Sequence, residues 1–336
     1  MIADVIGLGA RGPVGLSILQ VATNLRARGF TPRSVALRDR SGHEIGLAMT
    51  GGIGEHCMGF DRLVSLAAPA LAEAVLDAGI FSPSGALPVL LCLAEPGRAD
   101  DDPRFDGTIL EALGAHAGIT VDSERSATVR LGHAGFARAI ERAKALLDAG
   151  APSVAVGGVD SYYHSAVLRG LDASYRLHAL EAEDGFIPSE AAAFVVLARG
   201  TVGTPRALRG RILAVAAGNE PAVRDMTTVN TGLAMTLLVE RVLERSGPLG
   251  WVLTDENGER HRESEWTRVA LRLLSGVPRT TWVTNTGDVG AASGPLFAAV
   301  MLKLASLGCA TGSRALLALH SDGGERGVLA IEAVHG

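Results

Sequence analysis

Short, unbroken apolar runs alternate with longer stretches of helical periodicity along the whole chain, and this alternation leaves few architectures open. The segments 87–93 and 153–156 are apolar without polar interruption, which is how strands covered on both faces read. Further strands are expected at 4–7, 34–37, 127–131, 191–197, 211–217, 251–253, 280–283, 314–319 and 327–331. Helices are expected at 13–28, 62–76, 135–149, 226–245, 263–274 and 295–307, where apolar residues recur at three- and four-residue spacing. Strand and helix in turn imply an α/β protein with helices on the faces of a sheet. The stretch Arg199 to Pro205, with two glycines, a proline and no periodicity, is the best linker. It divides the chain into halves, 1–203 and 204–336, that read as a pseudo-duplicated pair without a strict sequence repeat.

Composition excludes several classes. Hydrophobic residues make up 47% of the 336, enough for a large core, and 42 glycines with 4% aromatics point to close backbone packing. A net charge of −5 argues against nucleic acid as a partner. Cys57, Cys92 and Cys309 are far apart, which excludes a disulfide framework and a cysteine-based zinc site. No apolar run reaches the length of a membrane span. The first residues lack a signal-peptide pattern, so a cytoplasmic protein is expected.

Gly7-Leu8-Gly9-Ala10-Arg11-Gly12 matches the dinucleotide fingerprint GxGxxG, with Asp39 as the acidic residue for a ribose. Pro13 directly after the third glycine and the long interval to Asp39 weaken it. An NAD(P)-dependent oxidoreductase is therefore the third-ranked reading, and a glycine-rich turn without ligand is preferred.

Separated segments together resemble the thiolase-like fold, specifically the β-ketoacyl synthases. Val129-Arg130-Leu131-Gly132-His133-Ala134-Gly135, then a helix, then Ser153 to Asp160 with Gly157-Gly158-Val159 is similar to the strand, nucleophile helix and Gly-Gly-Val strand of that family. Gly185 to Ala193 is similar to its Gly-Glu-Gly-Ala strand entry, and Asn285 to Gly294 to its Gly-His-x-x-Gly-Ala-Ala-Gly turn. Ser321 to Arg326 resembles its closing glycine-rich loop. The resemblance implies two βα halves in a layered αβαβα core and subunits paired in a dimer through the strand before or after the nucleophile helix. The apolar strand at 153–156 is the expected interface.

The departures fall on the chemistry. His133 stands where the nucleophilic cysteine belongs, Asp288 where the second imidazole belongs, and Val283 where the lysine belongs. The stretch Thr254-Asp255-Glu256-Asn257-Gly258, expected to carry the first imidazole, has no histidine, and His261 lies beyond it. Condensation needs a thiolate and two N–H donors for the enolate, and carboxylates at Asp255 or Asp288 would repel that enolate. Cys92 and Cys309 read as ordinary thiols, and an independent role for Cys57 is a weak alternative.

His133, Asp255 and Asp288 are expected to converge. They form a general base with a neutral imidazole, a sparse divalent-metal site, or, as preferred, a His–carboxylate pair satisfying itself. His56, His116, His164, His178, His320 and His335 show no ligand spacing, and His43 and His261 read as solvated turn residues. No metal and no cofactor is expected.

The leading reading is a catalytically degenerate ketosynthase-like protein, retained as a homodimeric accessory or interaction component for a protein partner or acyl carrier. The segment Asp255 to Trp266 and the turn at 287–294 also resemble thiolase-like proteins of bacterial secretion clusters (type VI secretion). The alternative is an acyltransferase or hydrolase acting on acyl thioesters in lipid or polyketide metabolism through His133.

Overall fold

In the computed structural model, residues 1–27, 33–80, 85–179, 182–200, 208–222 and 228–334 are described. In chain order the elements are β1 (Ala3–Arg11), α1 (Ile18–Ala27), β2 (Arg33–Arg38), β3 (Glu44–Leu47), α2 (Gly59–Asp77), β4 (Val89–Leu93), α3 (Thr108–Ala117), β5 (Ala127–Arg130), α4 (Gly135–Asp148), β6 (Ser153–Ser161), α5 (Ser165–Ala173) and β7 (Glu190–Ala198). They continue with β8 (Gly210–Asn219), α6 (Leu233–Ser246), β9 (Trp251–Thr254), α7 (Arg260–Leu273), β10 (Arg279–Thr281), α8 (Val283–Thr286), α9 (Ser293–Ser306), β11 (Arg314–His320) and β12 (Glu325–Ala333). The expected boundary at residue 203 and most of the expected linker lie outside the described residues, as does His335.

A ten-stranded sheet runs β10-β9-β11-β12-β8-β1-β7-β6-β4-β5, and β2 pairs with β3 in a separate hairpin. Counted outward from its middle, each half has the same order. Strands β1, β7, β6, β4 and β5 match β8, β12, β11, β9 and β10, including which neighbours are parallel. The halves meet where β1 pairs with β8 over Ala3 to Val5 only. Beyond that point the free amides of β1 find partners on α2. Asp77 accepts from Leu8 N at 3.0 Å and Glu73 from Ala10 N at 3.0 Å.

Every strand near the middle is apolar on both faces because both faces are covered. Val5, Leu8, Val154, Val156, Val195 and Leu197 from one half, and Ile212, Leu317, Leu319, Leu329 and Ile331 from the other, pack on α4 and α9 between the halves. The opposite faces take α2 and α3 on one side and α6 and α7 on the other. The result is the layered αβαβα arrangement. Helix α9 is buried on all sides from Ser293 to Leu302, as its lack of polar positions requires.

Two expectations are corrected here. Gly7 to Arg11 lies inside β1, so the fingerprint forms no strand-to-helix turn for a pyrophosphate. Its glycines instead let α2 approach, since a Cβ at Gly9 would sit 2.1 Å from the Ala70 carbonyl oxygen. Asp39 turns inward on its own hairpin, accepting from the Ser41 and His43 amides at 2.9 Å each. Second, β6 lies between β4 and β7 and offers no free edge for a dimer; the outer strand on that side is β5. No helix among the described residues is long and apolar enough to cross a membrane.

Candidate functional site

The two central helices begin alike. A 3-10 turn at Gly132–Ala134 leads from β5 into α4, and another at Gly290–Ala292 leads into α9. Each opens on a glycine in the left-handed region, Gly132 at φ 62° and Gly290 at φ 54°, where a side chain is strained. The turns meet, and His133 from the first touches the segment just before the second. His133 Nε2 lies 2.7 Å from Asp288 Oδ1. That oxygen also accepts from Gly290 N at 2.8 Å, so Asp288 sits at the positive end of α9. Its other oxygen accepts from Asn257 Nδ2 at 2.7 Å.

Both side chains are shut away from water, His133 at 5% exposure and Asp288 at 1%. Burial opposes the charged imidazole, but the adjoining Asp288 carboxylate outweighs it and holds His133 above its ordinary pKa. Burial likewise opposes the carboxylate, and His133 with Arg262 overcomes it, holding Asp288 well below the usual range. The upward shift of His133 and the downward shift of Asp288 both favour the ion-pair form of this contact. The neutral general-base imidazole expected at the start of α4 is not what these surroundings favour, because the neighbouring anion outweighs burial.

Asp255, at the end of β9, turns away from His133. It accepts from His320 N at 2.8 Å, lies 2.8 Å from His320 Nδ1, and receives Arg262 at 3.2 Å. Burial raises its pKa, and the His320 and Arg262 charges bring it below normal. Only Asp288 of the two expected carboxylates contacts the imidazole, so the expected trio does not assemble as metal ligands. The polar groups instead close a ring. Asn257 reaches Glu259, Glu259 pairs with Arg176 at 2.7 Å, Arg176 pairs with Asp322 at 2.5 Å, and Asp322 meets Arg262 at 3.3 Å. Arg262 closes the ring on Glu259 at 3.9 Å and also holds Asp255.

Among the described residues, Glu259, His261 and Asp322 place ligand atoms within 4.8 Å of one another. Arg176 already binds both carboxylates, so a guanidinium supplies the positive charge that a metal ion would bring. His261 is not the solvated turn residue expected. It lies half-buried in the first turn of α7, where burial and then the Arg262 charge push its imidazole down to about 4.

A cleft of about 300 Å³ opens beside His133, between the end of β4, helix α5 and Arg176. Val283 is buried at the start of α8. Cys92 is mid-strand in β4, where burial pushes its thiol up. Cys57 precedes α2 and Cys309 follows α9, so no thiol stands at the helix start.

No protein-family model and no curated protein sequence matches the chain. Solved structures do. The oxazolomycin ketosynthase domain from Streptomyces albus superposes with a TM-score of 0.80 at 14% identity, over 100% of this chain and 76% of that one. The chain has the ketosynthase fold. The ishigamide ketosynthase/chain length factor matches with a TM-score of 0.76 at 18% identity, over 99% of this chain and 100% of that one. A type II polyketide acyl-carrier protein–ketosynthase complex, bound to the hexaketide, matches with 0.79 at 14%, over 98% of each chain. At the start of α4, at the end of the strand-to-helix connection from β5, the buried side chain is His133, in contact with Asp288. The residues that sequence reasoning missed are Asn257, Arg176, Asp322 and His320. Asn257 left a signal, since it lies in the stretch where the first imidazole was sought, and Asp322 lies in the closing glycine-rich loop.

Proposed function

We propose that this chain is a ketosynthase-fold protein that does not condense acyl thioesters and acts as an accessory subunit for a protein partner or acyl carrier. The observation that carries this is the His133–Asp288 pair at the start of α4, where the resemblance implies a nucleophilic cysteine. A thiolate and two imidazole donors act as one unit, and loss of any member removes most of the rate. Here Asp288 presents a charge that would oppose an enolate, and that charge is already matched to His133. The neighbours support the partner class, because one is an acyl-carrier protein with its ketosynthase and another is a ketosynthase with its chain length factor. On this reading the protein works in the cytoplasm, in the setting of a bacterial secretion cluster.

The same reading includes a symmetric homodimer. Among the described residues, strand β5 is hydrogen-bonded on one side only, to β4, and its four residues are all half-buried in the single chain. An open edge of this kind is a template for pairing with a second copy.

A malonyl-thioester decarboxylation and condensation assay on the wild type and on His133→Cys tests the reading. No product is expected from either, and condensation by the wild type overturns it. Product from His133→Cys alone would show instead that the rest of the condensing machinery is present.

A further inference from the structure

A second cavity, of about 500 Å³, opens where the C-terminal ends of α1 and α9 meet β10 and the start of α8. It shares no lining residue with the cleft beside His133. Among the described residues that line it, none is an aspartate or a glutamate, and Arg26, at the end of α1, is the one cation. Arg26 Nη1 donates to the Cys309 carbonyl oxygen at 3.2 Å, and its side chain makes no other hydrogen bond or ion pair among the described residues. The Nε–Nη2 edge of the guanidinium is therefore left over. Such an edge matches the two oxygens of a carboxylate.

The remaining polar groups of the lining are mostly donors. Asn285 Oδ1 is already taken by the Thr284 hydroxyl at 3.1 Å, while no hydrogen bond to Asn285 Nδ2 or Trp282 Nε1 is found among the described residues. An ammonium group entering here would meet Arg26 and these donors with no carboxylate to receive it. A carboxylate accepts from two guanidinium nitrogens at once and matches their charge. Arg26 is exposed, so the pair forms without the cost of burying a bare cation. The rest of the lining suits a flat apolar body. Trp251, Trp282 and Met301 supply indole and thioether surface, which favours an aromatic ring over an aliphatic one. Trp282 is held in place edge-on between Trp251 and Phe297, at centroid distances of 6.1 and 5.6 Å. The volume falls within the range of small-molecule sites.

We propose that this cavity binds a small aromatic carboxylate, with its anionic group on the free edge of Arg26 and its ring against Trp282 and Met301, without a covalent step. The site is built from residues outside the His133 network, so it stands whether or not the chain condenses acyl thioesters.

The experiment is a titration of the full chain with 3-phenylpropanoate, followed by tryptophan fluorescence and by isothermal titration calorimetry. The comparison compounds are 3-phenylpropanamide, 3-phenylpropylamine and 3-cyclohexylpropanoate. Saturable binding is expected from the aromatic carboxylate, weaker binding from the amide and the cyclohexyl acid, and none from the amine. Arg26→Gln, at an exposed position, is expected to weaken binding roughly 10-fold, the loss of a charge-assisted hydrogen bond. Cys309 lines the cavity and is half-buried, as is Cys57 outside it, so the two thiols report where the ligand sits. Saturating 3-phenylpropanoate is expected to slow alkylation of Cys309 by N-ethylmaleimide, mapped by peptide mass, and to leave Cys57 unchanged. Equal affinity for the amide, the amine or the cyclohexyl acid overturns the proposal. So does unchanged affinity in Arg26→Gln, an unprotected Cys309, or the absence of both a saturable fluorescence change and a saturable heat.

Discussion

Removing the carboxylate of Asp288 leaves a buried imidazole facing an uncharged amide. Breaking one side of such a pair typically costs about 3 to 5 kcal/mol, so Asp288→Asn is expected to lower unfolding stability by that order in urea titration at neutral pH. The pH profile carries a second signature. His133 is raised from 6.5, so its contribution is complete below that value and is lost as pH rises through the folded pKa. Asp288 is depressed from 3.8, so its contribution is complete above that value and is lost as pH falls through the folded pKa. Thermal midpoints are expected to hold between these limbs and fall on both sides, and Asp288→Asn is expected to lose the part of the alkaline limb that belongs to His133. An alkaline limb unchanged in that variant would show that the imidazole is neutral in the folded protein. At this scale the sequence was half legible. His133 and Asp288 were found together because the resemblance aligned two helix starts. The pairing of Arg176 with Glu259 and Asp322 was invisible, because partners 83 and 146 positions apart leave no periodic trace.

Strand β1 shows what a local motif loses when packing decides. Its glycines satisfy a fingerprint, yet they serve the approach of α2. Gly9→Val is therefore expected to destabilise the fold by about 3 kcal/mol or more, read by chemical denaturation, with NAD producing no thermal shift in the wild type. Gly170, inside α5 with nothing within 4 Å of where a Cβ would stand, gives the opposite sign. Gly170→Ala is expected to stabilise by about 0.5 to 1 kcal/mol through helix propensity. Most strands were legible because burial on both faces leaves an apolar run. Helices α3 and α5 were not, since α5 buries only Val167, Leu168 and Leu171 and α3 is equally short.

At the scale of the whole molecule, α4 and α9 belong to both halves at once, so neither half keeps its core without the other. A single cooperative calorimetric transition is expected, with matching calorimetric and van't Hoff enthalpies for the assembled unit. Two resolved transitions would show that the halves fold apart. Light scattering at micromolar concentration is expected to give a dimer burying on the order of 2,000 Å² or more. Thr128→Pro, which removes an amide from β5, is expected to shift it toward monomer. A wild-type monomer would refute the pairing.

The His133–Asp288 pair and the charge ring it joins through Asn257 also bear on how this site can change one residue at a time. His133→Cys strands Asp288 with Arg262 and Asn257 as its remaining partners, and Asp288→His sets two imidazoles face to face with no anion between them. On the proposed reading, either single substitution toward a thiolate and two imidazoles therefore removes a charge partner that a buried side chain has here. Selection acting one substitution at a time would meet that penalty before any catalytic return. The network works as a ratchet, and proteins that carry it are expected to keep either all of its members or none.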